Sequence, residues 1–318
     1  MNSFNVVITH HGFPNIEQEK RVIEAAGGTV TEVQSESLEE VIAATREADA
    51  LLVQHLPITA EIIDALEKCK VIVRYGIGVD NVDLDAAKAK GIPVCNVPDY
   101  GVDEVADHAV SLALSLGRQL PQINARLRSG VWKITSDFPM PAFREMTFAT
   151  AGFGRIGRAV LERAQGFKFK LAAYDPFVDE RQMAELGVTK LSLDELFTQA
   201  DILSLHLPLT DETQHVVNAS RLAQMKSNAI LVNTARGALI DTIALAQALQ
   251  NGIIAAAGLD VYEEEPVAGD HPLFACDNAI FTSHVAWFSD SSVPLLQRLA
   301  AEEVVRGIQN QPLRSQVK

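Results

Sequence analysis

The sequence predicts an α/β protein of two units, each a parallel sheet with helices on both faces. Three observations carry this. Residues 1–98 alternate short apolar runs with amphipathic segments, the alternation restarts at Thr147, and the restart opens into a glycine-rich turn, AGFGRIG at 151–157. Strand and helix patterns in regular succession pack as a parallel sheet covered on both sides. With 318 residues, 47% of them hydrophobic, the chain can fill two medium-sized cores, and disorder is not expected.

In the first unit, the apolar runs predict strands at 5–9, 29–33, 50–53, 71–75 and 93–95, with helices near 17–26, 60–66 and 84–90. Pro98 ends this unit. A long helix follows from about Asp103 to Leu116, where VADHAVSLALSL keeps an apolar stripe. Arg118 to Arg144, with Trp132, Phe138, Pro139 and Pro141, reads as a loop-and-helix arm, suited either to packing on a second subunit or to a plain surface excursion.

Strands at 147–151, 170–174, 202–205, 229–233, 255–260 and 279–282 make six in the second unit, the Rossmann number. A last amphipathic helix, Ser291 to Asn310, is long enough to return to the first unit. The expected domains are therefore 1–98 with 287–318, and 99–286 inserted between them. Crossings near Pro98 and Ala286 would give a cleft with two hinges.

Charge and cysteine content bound the function. Twenty-seven basic against 41 acidic residues give a formal charge of −14, which argues against nucleic-acid or anionic-membrane partners. Cys69, Cys95 and Cys276 form no CxxC pair and are odd in number, so no disulfide framework or metal site is expected. The start MNSFNVVITHHGF is too polar for a signal peptide, and no apolar stretch reaches membrane-spanning length. A soluble, cytoplasmic protein is expected.

The glycine turn has a physical reading. Thr147 to Ala151 forms a strand and Ile156 to Gln165 a helix; between them Gly152 permits the tight turn, Gly154 lets a pyrophosphate approach, and Gly157 lets helix and strand pack closely. The helix N-terminal amides then face the phosphates. The next strand ends on Asp175, placed for the adenosine ribose hydroxyls, and no Arg or Lys follows before Arg181 to neutralise a 2′-phosphate. NAD is expected rather than NADP.

Arg236, Asp260, Glu265 and His284 follow the ends of later strands in the same unit. Ligands of open α/β sheets bind outside the carboxyl ends of strands. Hydride transfer at a C–O–H carbon needs a base for the hydroxyl proton, and a histidine such as His284 suits that task. Glu265 would fix its tautomer and favour the protonated form, while Arg236 offers a planar fork for a substrate carboxylate. Glu263 and Glu264 read as a solvated acidic turn. His10 and His11 read as loop residues facing opposite ways, and His108 as a packing or capping residue. Arg74 is either a salt-bridged strand-end arginine or a substrate-pocket cation.

The segments RYGIGVDNVDLDAA (74–87), VCNVPDYGVDEVADHA (94–109), AGFGRIGR (151–158), LVNTARGALID (231–241), AGLDVYEEEP (257–266) and SHVAWFS (283–289) together resemble the D-isomer-specific 2-hydroxyacid dehydrogenase family over essentially the whole chain. VRYG at 73–76 with HVAW at 284–287 places it nearest the C-terminal-binding-protein-like branch. The strand residues FATA (148–151) depart from the family, which usually has Gly and Ile or Val there.

The resemblance implies two Rossmann or flavodoxin-like domains, an NAD cofactor, and a homodimer made through the NAD-binding domain and the 118–145 arm. It implies that Arg236 binds substrate, that Glu265 and His284 are the acid–base pair, and that Asp260 holds the nicotinamide carboxamide. Gly152, Gly154, Arg155, Ile156, Gly157, Asp175, His206, Leu207, Pro208, Thr213, Thr234, Ala235, Arg236 and His284 would contact the cofactor. Backbone amides around Gly76, Ile77 and Gly78 would cradle the substrate carboxylate, with Arg74 nearby and the rings of Tyr75, Tyr100 and Trp287 lining the pocket. The expected substrate is a compact 2-oxo acid with an uncharged or mildly polar side chain. An NAD(H)-sensing corepressor-like scaffold is the alternative from another class. A phosphoglycerate dehydrogenase is a weaker expectation, since no regulatory domain follows residue 318, and glutamate at 265 disfavours formate dehydrogenase, which is expected to carry glutamine there.

Overall fold

In the computed structural model, which describes residues 3–134 and 139–317, the chain falls into two compact units, Met1–Gly101 with Phe288–Lys318, and Val102–Trp287. Phe138 lies outside the described residues.

The first unit begins β1 (Phe4–Ile8), α1 (Glu17–Ala25), β2 (Gly28–Glu32), α2 (Leu38–Thr45), β3 (Ala50–Val53), α3 (Ala60–Ala65), β4 (Val71–Arg74), α4 (Leu84–Ala89) and β5 (Val94–Cys95). Its five strands are parallel in the order β2-β1-β3-β4-β5, the flavodoxin-like arrangement. Leu51, Val53 and Ile72 pack with Ile62, Ile63 and Val82 into a core on one face.

The second unit starts with α5 (Val102–Gly117) and α6 (Leu120–Arg128) and continues β6 (Thr147–Ala151), α7 (Arg155–Gly166), β7 (Lys170–Tyr174), α8 (Glu180–Ala184), β8 (Thr189–Lys190) and α9 (Leu193–Gln199). It is completed by β9 (Ile202–Leu205), α10 (Ala219–Leu222), β10 (Ile230–Asn233), α11 (Thr242–Gln250), β11 (Ala256–Leu259) and β12 (Ala279–Phe281). The sheet order is β12-β11-β10-β9-β6-β7-β8, all parallel. Counting from β6, this is the Rossmann order with a seventh strand at one edge. The expected count of six therefore missed the two-residue β8, too short to show a period.

Both faces of this sheet are buried. Leu231 of β10 joins Leu203, Leu245 and Leu249 on one side, while its neighbours Ile230 and Val232 join Leu112, Phe148 and Val160 on the other. Such two-sided burial is why these strands read as continuous apolar runs. Arg163 of α7 reaches Asp103 of α5 at 2.7 Å and also Asp107, tying the two helices on one face. The last helix, α12 (Ser292–Ile308), belongs to the first unit and packs on α1, β3 and β4. Among the described residues no helix is long and apolar enough to cross a membrane.

Candidate active site

Each glycine of the AGFGRIG turn has its own reason. Gly152 follows β6 at φ +100°, and a Cβ there would come within 2.5 Å of the His206 carbonyl oxygen. A Cβ on Gly157 would run into the Gly152 carbonyl, so β6 and α7 could not approach as they do. Gly154 differs: nothing lies within 4 Å of where its Cβ would be. No internal packing requires that residue to be small, so a reason for glycine there has to come from outside the fold, as a pyrophosphate approaching the turn would supply.

α7 begins at Arg155 directly after Gly154 and has no side-chain cap, so its first amides are available to an anion. Gly154 and Arg155 are exposed and Ile156 is half-buried. The Asp175 carboxylate at the end of β7 accepts the Phe153 amide and the Phe177 amide, each at 2.9 Å, so it holds the glycine turn as well as its own.

Across the turn, His206 Nε2 pairs with Ser204 Oγ at 2.8 Å, and burial pushes the imidazole down to about 3, keeping it neutral. Leu207 is buried and Pro208 exposed; Thr213 donates its hydroxyl to the Pro208 carbonyl at 2.7 Å and accepts the Thr210 amide at 2.8 Å, closing that loop on itself. Thr150, one of the departures from the family strand, is fully buried with no partner for its hydroxyl, and the Thr234 hydroxyl is likewise buried without one. The open Gly154 surface, uncapped helix start and half-buried carboxylate fit a dinucleotide.

The residues expected to carry the chemistry follow the ends of β10, β11 and β12. Asn233, the last residue of β10, accepts the Ala235 amide at 3.0 Å and donates to the Arg236 carbonyl at 2.8 Å, shaping the turn that presents Arg236. Arg236 itself is half-buried, with Nη1 donating to the Ala235 carbonyl at 2.7 Å. Gly237 lies against the backbone of Tyr262 and Glu263 with no room for a Cβ. The Arg236 turn and the Glu265 turn are therefore in direct main-chain contact.

Glu265 Oε1 accepts the Tyr262 amide at 2.9 Å, and Oε2 meets His284 Nδ1 at 2.6 Å. Burial pushes the Glu265 carboxyl up, but the His284 hydrogen bond and charge, the Tyr262 amide and the Arg236 charge outweigh it and hold it below the usual range. Burial, with Asp260 and Glu265 nearby, pushes the Tyr262 phenol up to about 12, so it acts as a donor to the Thr282 carbonyl at 3.0 Å. Trp287 donates its indole N–H to the His284 carbonyl at 2.9 Å.

Asp260 is fully buried, and its carboxylate accepts the Thr282 hydroxyl at 2.5 Å and the amides of Val285 and Ala286 at 2.9 Å each. Its oxygens shape the turn that bears His284 and are closed to solvent. His108 Nε2 pairs with the same Thr282 hydroxyl at 3.0 Å.

In the first unit the Arg74 guanidinium lies over Gly76, where a Cβ would collide with it, and the Tyr100 hydroxyl is 3.6 Å from the same point. The carbonyls of Gly76 and Ile77 accept from the Val97 amide at 2.8 Å and Asn96 Nδ2 at 2.7 Å. Those two bonds fix the loop that follows β4.

Tyr75 corrects an expectation. Its ring is 2% exposed, its hydroxyl donates to Glu19 at 2.7 Å and its edge packs on Phe13, so it fills the core and lines no open surface. Strand alternation explains this: Tyr75 takes the face opposite Arg74. Glu263 is exposed, as an acidic turn should be, but it also has partners that the sequence did not show: it pairs with His215 at 2.5 Å and accepts the Thr242 amide at 3.0 Å. Asn233 and Gly237 lie in the LVNTARGALID segment without a role that the sequence assigned them, and nothing around His215 marked it; only the folded turns bring the three together.

The family model described as D-isomer specific 2-hydroxyacid dehydrogenase, NAD binding domain, matches residues 110–286. D-3-phosphoglycerate dehydrogenase of Mycobacterium tuberculosis is 42% identical over 248 residues, covering 78% of this chain and 47% of that protein. The chain thus spans about half the length of that relative. Hydroxypyruvate reductase of Thermotoga maritima is 39% identical over 282 residues, covering 87% of this chain and 90% of the relative. Among solved structures, D-lactate dehydrogenase of Aquifex aeolicus complexed with NAD and lactic acid superposes with a TM-score of 0.88 at 29% identity, covering 96% of each chain. Glycine turn, strand-end residues and sequence kinship agree, and the chain belongs to the D-isomer-specific 2-hydroxyacid dehydrogenase family.

Proposed function

We propose that the protein is an NAD-dependent oxidoreductase interconverting a short 2-oxo acid and its D-2-hydroxy acid. The observation that carries this reading is the 2.6 Å contact of His284 Nδ1 with Glu265, beside the turn that presents Arg236. With Nδ1 engaged, Nε2 is the nitrogen that exchanges a proton with substrate. During reduction the imidazolium gives that proton to the oxygen on C2, and during oxidation the neutral ring takes it back. The ionised Glu265 favours the imidazolium, and Arg236 holds the substrate carboxylate and polarises the C2 oxygen.

Bound at the glycine turn, NAD supplies the hydride acceptor, and NADH the donor. Gly152, Gly154, Arg155, Ile156 and Gly157 would hold its pyrophosphate, Asp175 its ribose, and His206, Leu207, Pro208, Thr213, Thr234 and Ala235 would surround the rest. The loop Gly76–Gly78 is proposed to offer its amides to the substrate carboxylate.

The near full-length match to a hydroxypyruvate reductase supports a small, uncharged side chain on the substrate. NADH oxidation with glyoxylate, hydroxypyruvate, longer 2-oxo acids and 3-phosphohydroxypyruvate tests the reading. Turnover of glyoxylate or hydroxypyruvate is expected. No turnover with any of them overturns it. The 42% identity to a phosphoglycerate dehydrogenase favours a second reading, which a clear preference for the phosphorylated acid would establish.

A homodimer through the arm is part of the proposal. Leu120, Leu127 and Val131 are at least half exposed, Trp132 is 82% exposed and Ile134 94%, an apolar run that water does not favour. A monomer in solution scattering at micromolar concentration would remove the arm from this role. The cytoplasm suits three free cysteines, two of which, Cys69 and Cys95, are pushed up to about 12 by burial and stay unreactive thiols.

A further inference from the structure

We infer that the His215–Glu263 hydrogen bond is a positioning clamp for the acid–base pair, locking the segment that carries Arg236 and the turn that carries Glu265 into one register. Glu263 and Glu265 are two residues apart in one turn and direct their carboxylates to different partners. Glu265 meets His284; Glu263 Oε1 meets His215 Nε2 at 2.5 Å, while its Oε2 accepts the Thr242 amide at 3.0 Å and the Thr242 hydroxyl. The Thr242 hydroxyl also lies 3.5 Å from His271 Nε2. Glu263 therefore fastens the Glu265 turn to the first residue of α11.

His215 extends the clamp in the other direction. Its amide donates to the Ala238 carbonyl at 2.8 Å, and the strand-like bonds Val217 N to Leu239 O, 3.0 Å, and Asp241 N to Val217 O, 2.9 Å, run on beside it. Ala238 is two residues past Arg236, and Gly237 between them sits against Tyr262 and Glu263. One side-chain contact thus closes a ring through residues 215–217, 237–242 and 262–265. The contact lies at the surface, with side-chain exposures of 41% for His215 and 29% for Glu263, so its role is geometric and its Coulombic contribution is screened by solvent. Burial raises the Glu263 carboxyl, but the Thr242 and His215 bonds outweigh it and hold it below the usual carboxylate range.

The clamp rests on the proposed roles of Arg236, Glu265 and His284, and its test is read partly without turnover. Glu263→Ala and His215→Asn, the latter able to keep the φ of +48°, are each examined for hydroxypyruvate reduction, NADH affinity and the NMR titration of His284 in the free protein. In both variants kcat is expected to fall about 10-fold, as for a displaced reactive group, with NADH affinity within about twofold. The NMR titration of His284 is expected to differ measurably from wild type in both variants, moving to lower pH, because a loosened Glu265 no longer favours the imidazolium.

Glu263→Gln keeps an acceptor for Thr242 without the charge and should fall between wild type and Glu263→Ala. An unchanged His284 midpoint and kcat in His215→Asn and in folded Glu263→Ala overturns the clamp. Should Glu263→Ala not fold, His215→Asn decides alone. If wild type reduces no 2-oxo acid the proposed function fails, and the His284 midpoints still decide the clamp.

Discussion

His284 is held by Asp260 in two ways: its amide donates to the Asp260 carbonyl at 2.7 Å, and the Asp260 carboxylate takes the two amides that follow, on Val285 and Ala286. These bonds keep His284 at φ +54°, a left-handed conformation uncommon for a residue with a side chain. Asp260→Asn would put an amide group where two N–H donors converge, leaving a buried donor unpaired at a cost of about 1–3 kcal/mol. A lower melting temperature and a lower kcat are expected together. If only NADH affinity changed, the carboxylate would be a cofactor contact and not the shaper of this turn.

Removing the proposed proton carrier should be severe. His284→Ala is expected to lower kcat by about 10²-fold or more with NADH affinity near wild type. Full turnover in that variant would end the assignment.

Glu265→Gln tests the pairing through pH. Glu265 is held below its usual range, so it is charged through neutrality, and its contribution to stability is present above the unfolded carboxyl range and lost only as pH falls through the lowered folded value. Replacing it by glutamine leaves the imidazolium less favoured, so the pH profile of reduction should shift to lower pH. An unshifted profile would show the two side chains to be uncoupled in solution.

The glycine turn offers a contrast between neighbours. Gly157→Ala should destabilise the fold, because the new Cβ meets the Gly152 carbonyl, whereas Gly154→Ala points into open space and should leave the melting temperature nearly unchanged. Yet Gly154→Ala should weaken NADH binding by roughly tenfold or more, since the methyl occupies the ground proposed for the pyrophosphate. Equal NADH affinity in wild type and Gly154→Ala would remove the turn from cofactor binding.

Asp175 should set cofactor choice. Asp175→Ser is expected to narrow the preference for NADH over NADPH by relieving repulsion of the 2′-phosphate, although it also gives up the bond to the Phe153 amide and should cost some stability. Comparable wild-type kcat/KM with NADPH would show that this carboxylate serves the glycine turn alone.

Arg74→Ala addresses substrate choice. If the guanidinium over Gly76 adds ground-state binding, KM should rise more than kcat falls. A wild-type preference for 3-phosphohydroxypyruvate that vanishes in Arg74→Ala would identify a phosphate anchor.

Strand ends were legible in the sequence because fully buried parallel strands announce themselves as apolar runs stopping at polar residues; β3, β6, β7 and β9 begin and end where the runs do. The helix α2, LEEVIAAT, went unseen since it buries only Val41 and Thr45 and shows a short stripe. Arg236, Glu265 and His284 were singled out as candidates from residue type and position. Their supports could not: Asp260 looks like any strand-end acid until three donors from 282–286 converge on it, and Glu263 looks like its solvated neighbours until His215, nearly fifty positions earlier, closes on it. Tyr75 was misread because a motif gives membership of a loop without saying which way each side chain turns.

The first unit is assembled from chain on both sides of the second, and α12 packs on β3 and β4 only after the whole stretch Val102–Trp287 has been made. At ordinary rates of translation that delay is on the order of ten seconds or more. During this interval the nascent first unit waits with the apolar side of β3 and β4 bare, while the second unit is free to finish. Order of synthesis thus makes the glycine-turn unit the earlier one to mature, and leaves the Arg74–Gly76 unit as the part exposed to chaperones and to wrong partners until its last helix emerges.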